Sequence, residues 1–377
     1  MIIKYPYRTA IITLCALAAL GASIGLYVAS SSTASAIEAI RSAPTLALQV
    51  KEYRALMERI GLEEAQEQLV LSGLPFTGQT HLLNHTSGEY AYQLYGKDAL
   101  LHCKDYFLSS CYHGALISLM ASEGVGVIPE ILNRCKAQGG TKTYVQCVHA
   151  VGHGYVAWFG YAKLPQALET CDRLSLQMEQ DFPLFSCHDG AFMENVWAVH
   201  DGGAPSPDRW VKKDDNLFPC NSPEINDGWK SACWANQPAL LFQQFEGNTA
   251  RVATVCEALA DNEHRGYCLN GLARQIHPLT KSDPHAALSY CNDVSLLNQL
   301  GCVISIASAD YSVGGRELPF SICGLVPDTQ QDVCYREIMR LIEPSECGLF
   351  TEEERQAQCE TGRPAKGSAI LFEHRPN

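Results

Sequence analysis

The sequence predicts an all-α fold of disulfide-stapled helical-hairpin repeats, forming an α-solenoid or curled α/α array, preceded by one transmembrane helix. Three observations predict it: cysteines that pair off along the chain, helical apolar spacing around those pairs, and one long apolar run near the N-terminus.

The apolar run spans residues 10–29, and about 20 such residues match the hydrocarbon core of a bilayer. Lys4 and Arg8 precede it. The positive-inside rule leaves residues 1–9 as a cytoplasmic stub and sends the rest across the membrane. Ala34-Ser35-Ala36 resembles a signal-peptidase site. The length of the run favours a retained anchor over a cleaved signal. The expected place is the bacterial inner membrane, with the bulk of the chain periplasmic.

The cysteines fit that compartment. Of 17, Cys15 lies in the apolar run, leaving an even number outside it. No CxxC occurs, which disfavours zinc ribbons and thioredoxin-like motifs. In order, the cysteines form eight neighbouring pairs: 103 with 111, 135 with 147, 171 with 187, 220 with 233, 256 with 268, 291 with 302, 323 with 334, and 347 with 359. Successive first members lie 24 to 49 positions apart, mostly 32 to 36. That period marks a helical-repeat array. Each repeat reads as a helix ending near its first cysteine, a short polar loop, and a second helix starting near its second. Ala286-Ala287-Leu288-Ser289-Tyr290-Cys291 is one such ending, and Cys268-Leu269-Asn270-Gly271-Leu272-Ala273 one such start.

Between and around the repeats, residues 37–72 read as a helical cap or linker interrupted at Gly61. Residues 75–200 hold histidine-rich repeats, and 201–219, rich in Gly, Pro and Asp, read as a loop. Residues 220–362 are plainer cysteine-pair repeats, and 363–377 a tail.

The net charge of −13 argues against nucleic acid as a partner. The expected partners are the membrane, through the N-terminal helix, and a substrate or protein that the sequence does not name. No Walker loop, GxGxxG, GxSxG or HExxH occurs, so no nucleotide cofactor is expected.

Histidine carries the chemistry. Six of the 12 lie at or near the starts of successive second helices: His81, His85, His113, His149, His153 and His188. In each HxxxH the two side chains share one helical face and can chelate one ion. The repeat register places His113 beside His149, with His81 before them and His188 or Asp189 after. Two positions after the later second cysteines stand Ala235, Asn270, Ile304 and Arg336, so the second half reads as structural.

The expected cofactor is a transition metal, copper or iron, alternatively zinc. One arrangement gives one ion to His81, His85 and His113, and another to His149, His153 and His188. A second arrangement mixes fewer histidines with Glu194 or Asp189. Copper or iron implies an oxidoreductase or oxygenase-type enzyme. Zinc implies a hydrolase, with Glu194 as the catalytic general base. The competing reading is a protein- or peptide-binding scaffold in which the histidines only hydrogen-bond neighbouring helices. Packed helices sit about 8–10 Å apart, so histidines from distant repeats meet only if the array curls tightly. His264, His277, His285 and His374 read as surface residues.

His81-x3-His85-x2-Gly88, Cys111-x-His113-Gly114, Cys147-x-His149-x2-Gly152-His153-Gly154 and Met193-Glu194-Asn195 resemble motifs in a group of secreted, cysteine-rich proteins. That resemblance covers roughly residues 75–200 and implies no reaction. Ala150 stands where the group often has glycine. In length and helix pairing the array is also similar to Sel1-like α-solenoid repeats, without their consensus residues.

Overall fold

The computed structural model describes residues 33–361, apart from 75–77, 105, 108, 179–180, 198–205, 297, 313–314 and 343, and the side chains of 78, 138–142 and 312. The apolar run at 10–29 and the tail at 363–377 lie outside the described residues. Every regular element among the described residues is helical. None of these helices alone is long and apolar enough to cross a membrane.

The chain divides into two units, Met1–Leu74 and Pro75–Asn377. The first contains α1 (33–42), α2 (Leu46–Ile60) and α3 (Leu62–Leu71). Thr45 caps α2 by accepting a hydrogen bond from the Leu48 N–H. Gly61 separates α2 from α3 at φ +90°, a conformation costly for other residues. Tyr53, Leu56 and Met57 of α2, and Leu62, Ala65 and Leu69 of α3, are buried.

The second unit runs α4 (Gly78–Tyr95), α5 (Ser110–Glu123), α6 (Ile128–Phe159), α7 (Leu164–Gln177), α8 (Leu184–Trp197) and α9 (Asp227–Gln244). It continues with α10 (Thr249–Glu257), α11 (Asn262–Thr280), α12 (Pro284–Cys291), α13 (Gln299–Ser312), α14 (Leu318–Ser321), α15 (Asp328–Leu341) and α16 (Glu353–Thr361). All eight neighbouring cysteine pairs are disulfides, with Cα atoms 5.4 to 6.5 Å apart. Three join consecutive α-helices: Cys171–Cys187 joins α7 to α8, Cys256–Cys268 joins α10 to α11, and Cys291–Cys302 joins α12 to α13.

Cys135–Cys147 departs from the expected helix–loop–helix. Both cysteines lie in α6, whose helical backbone continues from Ile128 to Phe159. A straight helix would hold residues twelve apart about 18 Å from each other. Their Cα atoms are 6.5 Å apart, so α6 folds back on itself between them. Gly139-Gly140 lies in that interval, and glycine pairs are a recognised cause of sharp helix bends.

A longer period is superimposed on the cysteine repeat. A Cβ on Gly114 would lie 2.0 Å from the His85 carbonyl oxygen. One on Gly190 would lie 1.9 Å from that of His149, and one on Gly271 2.2 Å from that of Ala235. Each glycine stands three residues after the second cysteine of its pair. In the first two pairs the contact is reciprocal: Gly88 meets the Cys111 carbonyl and Gly152 that of Cys187. The helix pairs α4–α5, α6–α8 and α9–α11 therefore repeat one close crossing in which backbone touches backbone. Such an approach is open only to glycine. His85, His149 and Ala235 are equivalent in this module, as are His113, Asp189 and Asn270.

Candidate metal centre

The close crossings bring five histidines together. His81 and His85 come from α4, His113 from α5, and His149 and His153 from the second arm of α6. All are buried, His113 completely. The rings of His113 and His153 stack at 4.1 Å, and even His85 and His153 are only 6.4 Å apart between centroids. The histidines fall into two overlapping groups, His81–His85–His113 and His113–His149–His153, in each of which one ring nitrogen per residue lies within 4.8 Å of the others.

Hydrogen bonds fix which nitrogens are bare. His153 Nδ1 is 2.8 Å from Glu194 Oε2, and His149 Nδ1 is 3.2 Å from Asp189 Oδ2. An ionised carboxylate only accepts, so both Nδ1 atoms carry the proton. Both Nε2 atoms are then bare, and they face each other at 3.2 Å. In neutral rings neither can donate to the other. His81 Nδ1 donates to the Phe107 carbonyl at 2.7 Å, which leaves its Nε2 bare as well. His113 Nδ1 approaches that Nε2 at 3.2 Å, while the buried His113 Nε2 has no hydrogen-bond partner. A buried unpaired nitrogen costs about 1–3 kcal/mol unless an ion or water satisfies it.

These are the features of a metal-ligand set. A metal–imidazole bond is about 2.0–2.1 Å, so tetrahedral nitrogens sit roughly 3.3 Å apart. The 3.1 and 3.2 Å separations of His85 and His113 from His81, and the 3.2 Å between His149 and His153, match that spacing. Carboxylates behind His149 and His153 orient those rings as carboxylate partners orient metal-bound histidines generally. The buried histidine groups can therefore hold a metal ion.

Electrostatics favours the ligating, neutral form. Burial, then the nearby His153, pushes His81 down to about 3. Burial and the neighbouring rings hold His113 well below its ordinary value. Burial also lowers His153, against the opposing pull of Glu194. Burial works against the Asp189 charge, but Arg274, His149 and Asn236 outweigh it and hold the carboxyl well below the carboxylate range. Burial and the Glu194 charge raise the Tyr161 hydroxyl far above the usual phenol.

The pH dependence of the metal-free protein follows. His81 stays neutral in the fold but takes a proton in the unfolded chain below about 6.5. The unfolded state then binds more protons, so stability falls as pH drops from about 6.5 towards 3. At pH 5 the His81 share is roughly 2 kcal/mol, and His113 acts in the same direction. Urea unfolding of the metal-free protein at pH 7.5 and pH 5 is expected to show at least that loss. Equal stabilities would contradict the burial of neutral histidines.

His188 is not part of the cluster. Its Nε2 is 2.9 Å from Asp172 Oδ1, and Asp172 Oδ2 accepts from the Trp229 indole at 2.9 Å. Successive residues point about 100° apart around a helix, so only one of His188 and Asp189 can face the other histidines. The close seating of Gly190 against His149 turns Asp189 inward. Asp189 is two residues after Cys187, the position His113 and His149 hold after their own cysteines. His113 belongs to both groups, so the candidate ligand sets overlap where an even division into two separate triads was expected.

Glu194, expected as a general base, has both oxygens engaged: Oε2 with His153, and Oε1 as acceptor from Tyr161 at 2.6 Å. Asn195 holds the loop instead, with its side-chain amide bonded to both the N–H and C=O of Trp210. The Trp210 indole donates to the Ala162 carbonyl, so one residue ties together the segments bearing Tyr161 and Glu194. Tyr112 bonds the Cys103 carbonyl, away from the histidines.

Sequence reading missed Tyr161, Asn236 and Arg274. Asn236 donates to Asp189 at 2.7 Å, and Arg274 stands 3.7 Å from the same carboxylate. The second half of the chain therefore supports the histidine cluster rather than standing apart from it. His277 is likewise buried, with its Nε2 3.0 Å from Asp310, and not at the surface. Its neighbour Pro278 is accommodated inside α11. His285 is exposed, and His200 and His374 lie outside the described residues.

No family model, curated protein or solved structure matches the chain.

Proposed function

We propose that the chain is a membrane-tethered periplasmic metalloprotein, an oxidoreductase whose copper or iron ion sits on His113, His149 and His153. One observation carries the reading: the bare Nε2 atoms of His149 and His153 face each other, with both opposite nitrogens committed to carboxylates. A positive charge belongs between them. The buried, unpartnered His113 Nε2 is a third nitrogen in need of a partner. A copper or iron ion held there would supply one-electron redox chemistry.

The chain's own residues set the site. Asp189 and Glu194 lock the rings of His149 and His153, and His81 accepts from His113 and fixes its tautomer. Tyr161 holds Glu194 from behind. Burial of all five histidines suits a small reactant or an electron better than a bulky substrate. The commitment of both Glu194 oxygens weighs against the zinc-hydrolase reading, which needs a free base. The N-terminal apolar run and the eight disulfides fit an oxidising compartment outside the inner membrane.

Metal analysis of protein purified from the periplasm without an affinity tag tests this reading. Stoichiometric copper or iron that titrates reversibly with reductant is the expected result. Stoichiometric zinc would favour a hydrolase. Protein that is metal-free and also refuses to load metal would overturn the reading in favour of a binding scaffold.

A further inference from the structure

We infer that the cluster holds two metal ions, with the His113 imidazole shared between them. This inference rests on the metalloprotein reading and extends it to a second ion.

His113 is the one residue common to both ligand groups. It comes from α5, which packs against both α4 and α6. An imidazole has two ring nitrogens, and each can bind one ion. Serving both groups at once therefore commits Nδ1 to one and Nε2 to the other. Nδ1 already lies 3.2 Å from His81 Nε2, in the first group. Nε2 is fully buried and without a partner, which leaves it for the second.

The first group has its own reason to take an ion. His81 Nε2 is bare because Nδ1 donates to the Phe107 carbonyl. It has one in-plane lone pair, yet two nitrogens converge on it, His85 Nε2 at 3.1 Å and His113 Nδ1 at 3.2 Å. One lone pair satisfies one donor well. A cation satisfies all three nitrogens together, at a spacing suited to metal–imidazole bonds.

The proton balance is simple. With one ion on Nε2, His113 keeps its proton on Nδ1. Arrival of the second ion replaces that N–H bond with an N–metal bond, and the proton leaves to solvent. His113 then carries a negative charge shared between two cations. His149 and His153 complete the second group, and their distal nitrogens remain on Asp189 and Glu194.

A shared imidazolate couples the unpaired electrons of two copper(II) ions, which gives the inference a magnetic signature. The experiment loads metal-free, full-length protein with copper(II) alone, removes unbound copper, and measures copper per chain and electron paramagnetic resonance intensity. Two coppers per chain, with low-temperature intensity well below that of two independent spins, is the expected result. His85→Ala, checked for native helicity by circular dichroism, is expected to bind one copper and to regain a full one-spin signal. One copper on the native protein would overturn the second ion and leave the metalloprotein reading standing. No copper, and no uptake of iron or zinc, would overturn both. Two coppers with full two-spin intensity would overturn the sharing of His113.

Discussion

Gly190→Ala is expected to destabilise the protein by about 3 kcal/mol and to lose the ion held by His149 and His153. The added Cβ would lie 1.9 Å from the His149 carbonyl oxygen and 3.2 Å from His153 Cδ2. The first contact is with helix backbone, which cannot rotate aside as a flexible side chain can. Either α8 moves away from α6 by more than an ångström or the crossing opens. Both outcomes withdraw Asp189 from His149 and Glu194 from His153, since both carboxylates ride on α8. Overpacking of this kind usually costs about 1–3 kcal/mol, and backbone contact puts it at the upper end. Gly126→Ala is the control: nothing lies within 4 Å of its added Cβ. Chemical denaturation and metal analysis of both variants decide the matter. A Gly190→Ala protein of native stability that retains the full native metal content would show that the crossing does not position the site.

Full reduction is expected to unfold the second unit. The disulfides join residues 8 to 16 positions apart. Closing loops of this size stabilises the fold by about 3 kcal/mol each in the chain-entropy model. Eight such contributions together exceed the roughly 5–15 kcal/mol net stability of a typical domain. Several helices could not persist alone in water: α10 has 9 residues, α12 has 8 and α16 has 9. Reduced and alkylated protein should therefore lose most of its far-ultraviolet helical signal and its cooperative melt. Retention of both would mean that apolar packing alone holds the hairpins.

The disulfide framework was legible because it is local. Each cysteine finds its partner within one hairpin, so order along the chain reveals the pairing. Gly61 was legible for a similar reason, since a glycine between two apolar-periodic stretches marks a helix end. The doubled period, from one glycine crossing to the next, was not. It depends on which carbonyl each glycine meets, and the cysteine spacing carries no trace of that. The bend in α6 was hidden because its backbone stays helical on both sides of the fold-back.

At the site, HxxxH spacing and repeat register pointed to His81, His85, His113, His149 and His153. The same register, two residues after the second cysteine, favours Asp189 over His188. Histidine's chemical appeal obscured that signal. Asn236 and Arg274 carry no local mark at all. They reach Asp189 from more than 40 positions away, through the packing of α9 and α11.

The central claim is that the five buried histidines form one metal centre from which His188 stands apart. Metal uptake by single-alanine variants tests it most directly. His149→Ala and His153→Ala are expected to lose an ion from the centre, while His188→Ala, folded, retains the full native metal content. Metal loss on His188→Ala equal to that on His153→Ala, or full retention by both cluster variants, would contradict it.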